Sequence, residues 1–284
     1  MRVLVTGAGG MVGRAVVEYC RLSDDLVFAY DHRNLDIGDL ERVTQTVKTD
    51  KPDVIINCAA WTDVDGCERD KERAFAANAY GPENLATAGH ASDATLVTIS
   101  TDYVFDGTKR GFYTQDDQPN PQSVYGKSKL EGEQRAIGAD PRTVVVRTGF
   151  IFGPGGNNFL STIVQRARKG EQIKAIRDAF GTPTYALDLA SRLRELAVGK
   201  FSGVFHVTNE GDGVSYEEFA REALRLAGCA DIELEGVTMD SLKRPAPRPQ
   251  NSRLRCLYSE GLGLAPLPDW RDSLRDFVQS ANVD

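Results

Sequence analysis

The chain has 284 residues, 41% of them hydrophobic, and a net charge of −7, which allows one large domain or two intimate ones around a sizeable core. The acidic balance excludes a nucleic-acid surface, because phosphate backbones need a basic field. No apolar run approaches the roughly 18 residues of a membrane helix, and Arg2, Arg14 and Glu18 stand where a signal peptide needs an apolar core, so a cytoplasmic protein without a membrane partner is expected.

The chain opens with the aliphatic run Val3-Leu4-Val5-Thr6, followed at once by Gly7-Ala8-Gly9-Gly10-Met11-Val12-Gly13. Val12, Val16, Tyr19 and Cys20 then recur at helical spacing, so the order is strand, glycine turn, amphipathic helix. Gly7 permits the turn, Gly10 lets a diphosphate approach the backbone, and Gly13 allows close packing. The phosphates would meet unpaired N–H groups at the positive end of the helix, beside Met11 and Val12. The spacing is GxxGxxG, a wider form of the dinucleotide fingerprint.

Leu26 to Tyr30 reads as a second strand, ending in Asp31-His32-Arg33. Asp31 suits the hydroxyls of an NAD ribose, whereas His32 and Arg33 suit the 2′-phosphate of NADP, so NADPH or NADH is expected, with a lean to NADPH. Asp36, followed by Ile37, is expected to cap a helix from about 39 to 48. The strand Val54 to Ala60 ends in Ala59-Ala60, whose small side chains leave room for a cofactor. A long helix is expected from about 67 to 90, and then a strand, Leu96 to Ser100, runs into Thr101-Asp102-Tyr103. Near-continuous apolar strands alternating with amphipathic helices predict a doubly wound parallel sheet of Rossmann type. Its ligand belongs at the carboxyl ends of the strands, where Gly7, Asp31, Ala59 and Thr101 fall.

Tyr125 and Lys129 are four residues apart on one predicted helix face. A nearby ammonium lowers a phenol's proton affinity, and a phenol so tuned can protonate a carbonyl oxygen as hydride reaches its carbon. Lys129 is also placed to hold the nicotinamide ribose. A hydroxyl from Ser100-Thr101 is expected beside the phenol.

Past strand Thr143 to Arg147 the pattern is less regular. Helices are expected near Phe159 to Lys169, Ala186 to Val198 and Ser215 to Leu226, with strands near Gln172 to Ile176 and Val204 to Val207. Residues 1–150 read as a dinucleotide-binding domain. Residues 151–284 read as mainly a smaller, interleaved substrate domain, with some late sheet elements returning to the first. The stretch Lys243 to Pro249 is stiffened by proline, and its basic side chains suit a sugar-nucleotide diphosphate. Cys20, Cys58, Cys67, Cys229 and Cys256 are odd in number and widely spaced, and His32, His90 and His206 are scattered, so neither a disulfide frame nor a metal site is expected.

GxxGxxG, Asn78, Ser100-Thr101 and the YxxxK of Tyr125 and Lys129 occur in an order that resembles the extended short-chain dehydrogenase/reductase family. Cys58 to Asp65, Ser100 to Gly107, Gly181 to Thr184 and Arg248 to Ser252 are most similar to its reductases of dTDP-linked 4-keto sugars. The resemblance implies reduction of the C4 ketone of dTDP-4-dehydro-L-rhamnose, with Thr101, Tyr125 and Lys129 as the catalytic set. It implies cofactor contacts from Asp36 and Ile37, and substrate contacts from Thr101, Asp102, Tyr103, Phe150, Asn158 and Arg248. Similar dehydratases carry an Asp-Glu pair after the catalytic threonine; here Asp102-Tyr103 follows, which favours plain ketone reduction. A sugar-nucleotide epimerase that retains its NAD, and a regulatory binding subunit of a methionine adenosyltransferase, are the alternatives on the same frame. Some relatives bridge dimers with magnesium through a glutamate where this chain has Ala15, so a monomer or a dimer without that bridge is expected. Ala179 replaces a usual glutamine and leaves the exact sugar nucleotide open.

Overall fold

Successive residues of the first strand are buried on opposite faces of one sheet, and this sets the architecture. The computed structural model describes residues 1–280. Its elements run β1 (Arg2–Thr6), α1 (Met11–Leu22), β2 (Leu26–Tyr30), α2 (Leu40–Asp50), β3 (Val54–Asn57), α3 (Val64–Arg69), α4 (Lys71–Phe75), a π-helical turn (Ala76–Tyr80), α5 (Gly81–Ala91), β4 (Thr95–Thr101), α6 (Val124–Ala139) and β5 (Val144–Thr148). There follow β6 (Ile151–Phe152), α7 (Phe159–Arg168), β7 (Ile173–Ile176), β8 (Phe180–Gly181), β9 (Thr184–Tyr185), α8 (Ala186–Val198), β10 (Gly203–His206), β11 (Val214–Ser215), α9 (Tyr216–Leu226), β12 (Leu234–Val237) and α10 (Trp270–Ser280).

Six parallel strands form the main sheet in the order β10-β5-β4-β3-β1-β2. Val3, Val5, Val54, Ile56 and Val97 face Val16 and Cys20 of α1 and Leu189, Leu193 and Leu196 of α8. Leu4, Ile55 and Leu96 point the other way, onto Val43 and Val47 of α2, Leu85 of α5 and Ala136 of α6. Each fully buried aliphatic side chain here contributes about 1.5–3 kcal/mol relative to exposure. Strands buried on both faces need helices on both faces, which is the doubly wound arrangement expected from the sequence. A second core, built on Phe152, Phe219, Trp270 and Phe277, lies among α7, α9 and α10 and the short strand pairs β7–β12 and β6–β9. The late strand β10 joins the main sheet beside β5.

Two expected elements differ. The helix before β3 is capped by Asp39, whose carboxylate accepts from Arg42 N at 3.1 Å. Asp36 instead closes a tight turn on Gly38 N at 2.9 Å, because its carboxylate lies three residues too early for the first helical turn. The helix expected over 67–90 is broken at Asp70, which ends α3 and caps α4 through Arg73 N at 3.0 Å. The chain then widens into the π turn that carries Asn78. Strand limits near 143, 172 and 204 shift by one residue, and the strand expected through Ala60 ends at Asn57, because Ala59 N turns back to Asn57 Oδ1 at 3.1 Å. Among the described residues, no helix is long and apolar enough to cross a membrane.

Candidate active site

The strands reverse their order around β1, and their carboxyl ends open a crevice there. Gly7 follows β1 with φ +66°, and a Cβ on it would lie 2.5 Å from Ala59 N. A Cβ on Gly13 would lie 2.1 Å from Gly7 O, so the third glycine packs on the turn itself. Gly10 caps α1 without a side-chain hydrogen bond, leaving the first-turn N–H groups for an anion. The cradle therefore fits a dinucleotide diphosphate. Ala59 and Ala60 are half-buried beside it, as are Met11 and Val12, and Met11 Sδ accepts from Ser161 Oγ at 3.6 Å. Arg14, whose role no local sequence pattern marks, links the cradle to the loop after β6 through Gly9 O at 2.5 Å and Gly155 O at 2.8 Å.

At the end of β2, Asp31 Oδ1 accepts from Arg33 N at 2.9 Å and Asn34 N at 3.2 Å. That carboxylate oxygen is committed to its own turn, while His32 and Arg33 are exposed next to it and Arg42 reaches Asn34 O at 3.1 Å. Three basic side chains around one turn suit a 2′-phosphate. Ile37 is buried at 4% exposure and occupies the space that a side chain on Gly81 would need, so it holds the crevice wall.

Thr101 closes β4 and Tyr125 lies in the first turn of α6, where Ser123 caps through Gly126 N at 3.1 Å and Glu68 accepts from Val124 N at 2.7 Å. The Thr101 hydroxyl draws the Tyr125 phenol down, but loss of water around it outweighs this and pushes the phenol above its ordinary value. Lys129, on the same helix as Tyr125, spends one of its three donors on the sheet. It is 4% exposed, and its ammonium donates to Ile99 O at 2.7 Å. Burial pushes it down to about 8, with the Glu133 carboxylate holding it up. Behind it, Glu133 pairs with Arg147 at 2.6 Å and accepts from Ser100 Oγ, so Ser100 is committed away from the phenol. Asn78 binds the Trp61 backbone in both directions and donates to Ser128 Oγ at 3.1 Å, tying the exit of β3 to α6.

Tyr103 meets Tyr125 edge-on at 6.0 Å and lines a narrow pocket with Phe150, Tyr216, Arg244, Arg248 and Ser252. Phe150 has φ +45° and lies against Tyr216 at 4.2 Å. No local pattern marks Tyr216, since its partners lie elsewhere in the chain. Arg248 enters this pocket already paired with Asp65, at 3.0 Å through both nitrogens. Asn158 is outside the pocket lining. It caps α7 through Ser161 N and donates to Ile151 O, both at 2.9 Å, so both ends of its amide are engaged. Asp102 is 3% exposed, with Oδ1 on the Thr101 hydroxyl at 3.0 Å and Oδ2 without a partner.

Fold and site together define a short-chain dehydrogenase/reductase of the extended type. Residues 1–283 match the model of the RmlD substrate binding domain family, and the chain belongs to that family. It is 39% identical over 280 residues to dTDP-4-dehydrorhamnose reductase of Mycolicibacterium smegmatis, covering 98% of this chain and 85% of that protein. It is 38% identical to a probable dTDP-4,6-dihydroxy-2-methyloxan-3-one 4-ketoreductase of Streptomyces antibioticus, covering 97% and 94%. The crystal structure of dTDP-4-dehydrorhamnose reductase from Bacillus anthracis in complex with NADP superposes with a TM-score of 0.94, at 33% identity and covering 98% and 99%.

Proposed function

We propose that this protein reduces the C4 ketone of dTDP-4-dehydro-L-rhamnose to dTDP-L-rhamnose, using NADPH or NADH, with NADPH preferred. The observation that carries the reading is the meeting of the Thr101 and Tyr125 hydroxyls at the strand ends, between the glycine cradle and a pocket rich in aromatic and arginine side chains. Residues 1–150 hold the dinucleotide: Gly7 to Gly13 its diphosphate, and the turn from Asp31 to Arg33 its adenine ribose. Residues 151–284 mainly hold the sugar nucleotide. A bound reduced nicotinamide supplies hydride to the ketone carbon. Tyr125 gives its proton to the ketone oxygen and later regains one from water, and Thr101 shares the oxygen's hydrogen bonding. Buried Lys129 brings positive charge to the strand ends beneath the reacting groups. Arg244 offers a planar fork to the sugar-nucleotide diphosphate, and Arg248, whose fork is held by Asp65, adds positive charge beside it. The working location is the cytoplasm, and the working form is a monomer or homodimer without a metal bridge.

The second reading is reduction of a different dTDP-4-keto sugar. It is supported by the Streptomyces antibioticus relative and by Ala179, buried in the pocket lining. Loss of reduced-nicotinamide absorbance that requires dTDP-4-dehydro-L-rhamnose tests the first reading. Oxidation with another dTDP-4-keto sugar alone selects the second. A protein that purifies with tightly held NAD and oxidises neither added cofactor leaves the epimerase.

A further inference from the structure

Thr101 Oγ has one hydrogen and two lone pairs to distribute. One lone pair accepts from Tyr103 N at 3.1 Å. Two groups then compete for the single hydrogen. Asp102 Oδ1 lies 3.0 Å away, and the Tyr125 phenol oxygen is the other neighbour. Asp102 is itself fully enclosed, at 3% exposure, and its Oδ2 has no hydrogen-bond partner. Its oxygens fill the space beside Gly149 so closely that a Cβ there would lie 2.4 Å from Oδ2. An ionised carboxylate in such a place is costly.

We infer that Asp102 is a positioning residue whose protonation sets the direction of the Thr101–Tyr125 hydrogen-bond pair. When Asp102 is ionised, Thr101 must donate to it, and the remaining Thr101 lone pair draws the Tyr125 proton inward, away from substrate. When Asp102 is protonated, it donates to Thr101, the Thr101 hydrogen turns to the phenol oxygen, and the Tyr125 proton points outward to the ketone. The second arrangement also stabilises the phenolate as it forms, because each donor polarises the next. This rests on the proposed reduction, since it assigns the ketone to the outer side of Tyr125.

Burial pushes Asp102 up to about 6, against the Thr101 and Ser252 hydroxyls, so the switch falls within an accessible range. The groups around it are Tyr103 on its own turn, Tyr125 on α6, Tyr216 on α9 and Ser252 on the 243–252 strap. Arg244 and Arg248 of the strap act on Tyr103 and Tyr216. Cys67 of α3 acts on Tyr125 and is pushed up to about 11. All three tyrosines are shifted upward, away from the value of about 6 to which burial pushes Asp102.

The test compares wild type with Asp102→Asn and Thr101→Val, measuring kcat with saturating NADPH and dTDP-4-keto sugar from about pH 5 to about pH 8. Wild-type kcat is expected to fall, approaching tenfold per pH unit, above about pH 6. Asp102→Asn, whose amide can donate to Thr101 at every pH, should lack that fall. Infrared spectra of the protein alone provide a second readout. A protonated-carboxyl band should vanish through about pH 6 in wild type, be missing in Asp102→Asn, and be displaced in Thr101→Val. An Asp102→Asn enzyme that keeps the wild-type fall overturns the inference, as does an infrared titration unaffected by either substitution. Absence of turnover in wild type at every pH overturns the proposed reduction instead, and the infrared comparison still decides the role of Asp102.

Discussion

Glu133 and Asp102 are both buried carboxylates, 4% and 3% exposed, the first on α6 itself and the second on a turn packed against α6. Behind the helix, Glu133 faces Arg147 through three hydrogen bonds and takes a fourth from Ser100, so every one of its oxygens is answered. In front, Asp102 meets only the Thr101 and Ser252 hydroxyls, and its Oδ2 has no hydrogen-bond partner. Equal burial therefore has opposite consequences. A satisfied ion pair fixes the frame that aims Lys129 and α6, whereas an under-satisfied acid is left free to exchange a proton. The back of α6 should govern stability and the front should govern turnover.

Tyr125→Phe breaks the front. The variant should lose about 10³-fold in kcat, within the span for removal of a general acid, while its melting temperature and NADPH affinity stay at wild-type values. A phenylalanine enzyme of normal rate would remove Tyr125 from the chemistry. Glu133→Ala breaks the back. It leaves the Arg147 guanidinium buried without its partner and should cost about 3–5 kcal/mol in urea unfolding. The double change Glu133→Gln with Arg147→Met should recover most of that loss; an equally unstable double variant would show that volume, not charge, is what the region needs.

Much of the frame was legible in the sequence because its causes are local. The apolar runs of β1, β3 and β4 announce a sheet buried on both faces, and the spacing of Leu189, Leu193 and Leu196 marks α8 from Ala186 to Val198. The glycine turn is likewise a local device. The break at Asp70 was hidden because helical periodicity runs through it, although an aspartate three residues before a free N–H is a capping signal. The candidate site was less legible, since its decisive contacts are distant in sequence. Lys129 turns to a carbonyl 30 residues away, and Arg248 to a carboxylate 183 residues away. Spacing alone put Lys129 on the face of Tyr125, but only the fold shows which carbonyl accepts its hydrogen bond.

Lys129 sharpens the contrast, because it belongs to the back by contact and to the front by function. Burial holds its folded value near 8, below the ordinary 10.5, so between those values the unfolded chain binds the extra proton and stability rises with pH. The penalty is fully present below about pH 8 and fades toward pH 10.5. Lys129→Met should therefore be more stable than wild type at neutral pH, by about 1–4 kcal/mol, with the gap closing in alkaline urea titrations and with turnover lost. A methionine variant no more stable at neutral pH would mean that the ammonium is well compensated in place.

The smallest effect belongs to Asp65, which ties the strap carrying Arg248 to the start of α3. Its carboxylate accepts from both Arg248 nitrogens at 3.0 Å and from Ala246 N at 3.1 Å, in a partly exposed setting. Removing it by Asp65→Ala should cost only about 1 kcal/mol of stability, since water can answer the freed donors. Its effect on the sugar nucleotide should appear in KM. A strap no longer held in place has to be ordered by the ligand, so KM should rise several-fold while kcat stays near wild type. If KM falls instead, Asp65 competes with the diphosphate for Arg248, and the ion pair is one that substrate must displace.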